Sequence, residues 1–88
     1  MADASALRLP PLTPPVKRSV MLEGHATSVS LEDAFWRALQ DEARARHMTP
    51  AQLISQVDHM RPPEVGLATA LRLFVLAQAQ LAPPRRGD

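Results

Sequence analysis

The stretch from Thr27 to Leu39 changes its hydrophobic period within a residue or two. Up to Leu31 the period is two. Thr27, Val29 and Leu31 fall on one face, and Ala26, Ser28 and Ser30 on the other, the pattern of a half-buried strand. After Leu31 the apolar residues fall at Phe35, Ala38, Leu39 and Ala43, the three-and-four spacing of an amphipathic helix. Glu32 and Asp33 sit where the free N–H groups of a first helical turn favour negative charge. A single short strand is not stable alone. The spacing therefore predicts that two copies of the chain pair their strands.

The preceding segment leaves a choice open. In Lys17-Arg18-Ser19-Val20-Met21-Leu22, Val20 and Leu22 alternate with Ser19, Met21 and Glu23. Gly24 can supply a positive φ for a turn or bulge. Residues 18–31 form either one long bent strand or a hairpin that folds 18–22 onto 26–31.

The helices are marked more sharply. Helix 1 is predicted from about Glu32 to His47, with Ser30 as a cap and Asp33 three residues on. Phe35, Leu39 and Ala43 form its buried stripe, and Trp36 covers the edge of the core or a partner. Arg37, Asp41, Arg44 and Arg46 form a solvated face, with Asp41 and Arg44 spaced for a weak helical pair. Thr49-Pro50-Ala51-Gln52 is the strongest local signal. Thr49 suits an N-cap, Pro50 the first helical position, and Gln52 closes a capping box. Met48 and Leu53 fit the hydrophobic staple. Helix 2 buries Leu53, Ile54, Val57 and Met60, and ends at Pro62-Pro63. Helix 3, from about Leu67 to Leu81, is apolar around most of its circumference, with Phe74 in the core. Such a helix needs cover on more than one side, which a partner subunit would provide.

Size agrees with that reading. Proline-rich ends, residues 1–16 and 82–88, read as disordered tails around a domain at 17–81. The folded part is then roughly 60 residues, near the size where a lone core is marginal. The 88-residue chain has no cysteine, so neither disulfide nor thiolate metal can help, and oligomerisation is the remaining common staple. Absence of cysteine fits a cytoplasmic protein. The start lacks a secretory pattern, and the longest apolar stretch is too short and too interrupted by Arg72 to span a membrane.

Chemistry is sparse. Formal net charge is +1, so any nucleic-acid surface must be local. His25, His47 and His59 lack metal-ligand spacing and read as surface residues, although His25 lies where it can touch phosphate. Ser28 and Ser30 have no base partner in sequence. No Gly-rich phosphate loop exists. No enzyme activity and no cofactor are expected. Lys17 and Arg18 are either an electrostatic foot on DNA or a solubilising pair.

Strand, helix, short turn and a second capped helix, over Ala26 to about Met60, resemble the ribbon-helix-helix superfamily of dimeric bacterial and phage DNA-binding proteins, the Arc and methionine repressors among them. Lys17-Arg18-Ser19-Val20, Gly24-His25, Thr27 to Glu32, Phe35-Trp36, Leu39, Leu71-Arg72 and Phe74-Val75-Leu76 resemble more narrowly a bacterial subgroup of small ribbon-helix-helix proteins. The resemblance implies a mainly α fold with a short β-ribbon, an additional C-terminal helix, and an intertwined homodimer. It implies a transcriptional regulator whose two-stranded antiparallel ribbon enters the DNA major groove. Ala26, Ser28 and Ser30 take the outward ribbon positions. Thr49, Pro50 and Ala51 take the phosphate-clamping turn, where Pro50 lacks a donor but Ala51 and Gln52 keep theirs. With Lys17, Arg18 and His25 these residues make the expected DNA-binding set. The outward positions are short compared with the Arg, Lys, Asn, Gln or Thr often found there. The alternative is a protein-interaction or antitoxin-type dimerisation module that has lost base reading and meets an unknown protein partner.

Overall fold

A computed structural model of the chain describes residues 7–81. Two strands, β1 (Val16–Leu22) and β2 (His25–Leu31), precede three helices, α1 (Asp33–Ala45), α2 (Pro50–Met60) and α3 (Leu67–Leu81). Of the expected tails, residues 1–6 and 82–88 lie outside the described residues. Residues 7–15 carry no helix or strand and are exposed.

The strands form an antiparallel hairpin, which decides between the two geometries open to residues 18–31. Val16 pairs with Leu31, and the ladder continues in register to Leu22 opposite His25. The turn is two residues long. Glu23 has φ 51° and Gly24 φ 84°. Two positive φ values mark the mirror-image turn whose twist matches that of the flanking strands. Gly24 adopts this conformation freely, whereas for Glu23 it costs about 1–2 kcal/mol. The hairpin corrects the expected pairing of strands between two copies, because β1 partners β2 along its whole length within the chain.

The inner face of the ribbon closes the core. Leu22, Val29 and Leu31 are buried against Leu39 and Ala43 of α1, Leu53, Ile54 and Val57 of α2, and Leu71 of α3. Phe35, Trp36 and Phe74 are half-buried and packed against this cluster. Met60 departs from the expected core and is 83% exposed. The C-cap residue Arg61, half-buried, closes this end of α2 by donating to Asp58 Oδ1 at 2.7 Å and to the Val65 carbonyl at 2.7 Å. On α3 only Leu71 is fully buried, while Leu73, Leu76 and Leu81 remain exposed.

The helix ends show where local chemistry wins. β2 runs through Leu31, so Ser30 stays in the strand, and the N-cap of α1 is Glu32 without a side-chain cap bond. This corrects the expected Ser30 cap. At the other end the Met48 N–H donates to Ala43 O at 2.9 Å and the His47 N–H to Arg44 O at 3.1 Å. His47, at φ 58°, holds the left-handed position usually taken by glycine in this closing motif. The capping box of α2 forms as its sequence predicts. Asp41 and Arg44 pair at 2.9 Å. Arg46 is more than a solvated residue. It bonds Glu42 on its own helix and Gln78 on α3, and lies over the Phe74 ring at 5.4 Å.

Candidate nucleic-acid interface

Residues that face each other across the ladder share a face of the ribbon. Lys17 stands opposite Ser30, Ser19 opposite Ser28, and Met21 opposite Ala26, and all six are exposed. β1 lies beside β2 and extends the ribbon sideways, so the outer face of β2 is left open. Ala26, Ser28 and Ser30 are outward, as the alternation predicts. Ser19 and Met21 join them. Their parity was present in the sequence, but their membership of the face depends on the hairpin.

Two residues of the expected set lie elsewhere. Arg18 is on the inner side opposite Val29, with its side chain only 22% exposed. It reaches Asp33 at 3.4 Å and lies over the Trp36 ring at 4.9 Å. Asp33 also pairs with Arg37 at 2.9 Å. Arg18 thus fastens the ribbon to α1 and does not share the outer face with Lys17. His25 has inward parity opposite Leu22, yet at the turn end it is exposed.

The N-terminus of α2 borders the turn end of the ribbon. Met21 and Glu23 share a surface cleft with Ala51, Gln52, Ser55 and Gln56. Thr49 Oγ1 accepts from the Gln52 N–H at 3.1 Å, and Gln52 Oε1 accepts from the Thr49 N–H at 2.8 Å. Pro50 has no N–H. Among the described residues, the Ala51 N–H is therefore the donor of the first turn left without an acceptor. The Gln52 N–H is spent in the capping box that the sequence predicts.

Two further polar clamps hold the ribbon on the helices. At the turn, Glu23 Oε2 accepts from Ser55 Oγ at 3.3 Å and lies 3.0 Å from His59 Nε2. His59 Nδ1 is 2.8 Å from the Ser55 carbonyl oxygen. Both ring nitrogens face acceptors, so the doubly protonated ring fits best. The Ser55 carbonyl, then the charges of Glu23 and Asp58, raise the His59 pKa above its ordinary value. At the far end, Arg72 of α3 donates to Glu32 at 3.0 Å and to the Ser30 carbonyl at 3.3 Å. Its own backbone N–H, then Arg72, hold the Glu32 carboxyl below its ordinary pKa.

Residues 15–79 match the ribbon-helix-helix domain. The chain belongs to the ribbon-helix-helix family. Ribbon-helix-helix proteins generally bind DNA as dimers. The chain is also similar to the solved structure of an uncharacterized protein from Bordetella pertussis Tohama I, with 32% sequence identity and a TM-score of 0.65. The match covers 76% of this chain and 57% of that one, so the ribbon-helix-helix chain spans little more than half of that protein's length. No curated protein matches the sequence. Among the described residues, no group of acidic, histidine or cysteine side chains is placed to hold a metal ion. No helix among them is long and apolar enough to cross a membrane.

Proposed function

We propose that this ribbon-helix-helix protein is a homodimeric DNA-binding regulator that lays the outer face of its β1–β2 ribbon in the major groove. The observation that carries this reading is the open outer face, where Lys17, Ser19, Ser28 and Ser30 are exposed and have no part in the core. A two-stranded ribbon is the width the major groove admits. Lys17 supplies the phosphate contact, with the Ala51 N–H and the Thr49 hydroxyl beside the turn end. Ser19, Ser28 and Ser30 offer short hydroxyls that donate or accept, so discrimination among base pairs is modest. Arg18 supports the ribbon from below.

The dimer in this reading covers the exposed apolar side of α3, Leu73 and Leu76 with the neighbouring Met60. Fluorescence anisotropy of a labelled duplex across a salt series tests the function. Binding that weakens steeply with salt is expected. Absence of binding at low salt would refute groove reading. The same apolar side favours the second reading, a module whose main partner is protein. That reading would then lead.

A further inference from the structure

We propose that the turn end of the ribbon reads the 5-methyl group of thymine, with Met21 and Ala26 as the residues that set this preference. The proposal rests on the groove-reading function above and names what one part of that face recognises. Along the outer face the cross-strand pairs change character in steps. Lys17 with Ser30 brings charge and a hydroxyl, Ser19 with Ser28 brings two hydroxyls, and Met21 with Ala26 brings neither.

Met21 is 59% exposed and packs into no core, while Val20 and Leu22 on either side of it point inward. The major groove offers one apolar group on its base edges, the methyl of thymine. A flexible, polarisable thioether adapts to such a group, and the small Ala26 opposite leaves room for it to approach. Met21 also shares its cleft with Ala51 and Gln52. A phosphate held by the Ala51 N–H would therefore lie beside the apolar pair, fixing the register of the bases that Met21 meets.

The test compares binding of the full chain to a short alternating dA·dT duplex and to the same duplex carrying deoxyuridine for thymidine, which removes only the methyl. Wild type should bind the uracil duplex more weakly, by about fourfold for each methyl contacted, the scale of one buried carbon group. The double variant Met21→Ser with Ala26→Ser should bind both duplexes equally, while keeping the wild-type circular dichroism spectrum and melting midpoint. Equal wild-type affinity for the two duplexes overturns the methyl assignment and leaves groove binding intact. A double variant that retains the preference overturns the choice of residues. Wild type that binds neither duplex overturns the groove reading itself.

Discussion

Two exposed surfaces of this ribbon-helix-helix protein differ in kind. The outer face of the ribbon carries small polar side chains around one lysine, with Met21 at its end. The outer face of α3 carries Leu73 and Leu76, with Leu81 beyond them. Both lie one layer away from the same core, so burial within the chain does not explain the difference. Small hydroxyls on a flat ribbon let another molecule's backbone and bases approach. Large aliphatic groups on a helix favour contact with another apolar surface. In the function proposed above, nucleic acid meets the first face and a second subunit the other.

Substitutions on α3 can break that contrast most forcefully. Leu71 is its one fully buried residue, and Leu71→Ala should cost about 2–5 kcal/mol by chemical denaturation. That is a large share of a stability of about 5–15 kcal/mol. Leu73→Glu, two residues along on the outer face, should instead leave a folded monomer. Its melting midpoint should no longer rise with protein concentration, as that of a dimer does. A dimer unchanged in ultracentrifugation would put the subunit contact elsewhere.

Lys17→Ala probes the other face. Stability should change by no more than about 0.5 kcal/mol. The log–log salt slope for duplex binding should become shallower by about 1.8, from roughly 0.9 for each of two phosphates in a dimer. Arg18→Ala should do the reverse, lowering the melting midpoint through loss of the Asp33 and Trp36 contacts while the salt slope stays close to wild type.

The smallest effect concerns pH. The folded-state pKa of His59 is raised above 6.5, so its contribution is fully present below that value and is lost as pH rises through the folded pKa. Glu32 has the opposite sign. Its pKa is lowered below 4.5, so its contribution is present above that value and is lost as pH falls through the folded pKa. Melting curves of His59→Gln should lack the alkaline-side decline of wild type and keep the acid-side one.

Much of this arrangement was legible in the residues. Thr49 to Gln52 dictated the start of α2 through backbone chemistry alone, and the alternation of Thr27 to Leu31 placed Ser28 and Ser30 outward. The choice of the hairpin over one bent strand was not legible, because its turn puts Glu23 at positive φ, a conformation favoured by glycine or asparagine. The clamp from Glu23 to Ser55 and His59, which opposes that cost, joins residues far apart in sequence. The same undecided turn hid Ser19 and Met21 from the candidate face. Lys17 and Arg18 looked equivalent as neighbouring cations. Strand alternation separates them, one outward and one over Trp36. Met60 has the helical phase of a core residue, but it is the last residue of α2, and the chain turns away at Pro62 before the core reaches it.

The division of labour between the two faces is tested most directly by amide chemical-shift mapping of the protein titrated with duplex DNA. The largest shifts should fall on Lys17, Ser19, Ser28, Ser30 and Ala51, with Leu73 and Leu76 unmoved. Shifts concentrated on α3, with the outer face of the ribbon silent, would contradict the account.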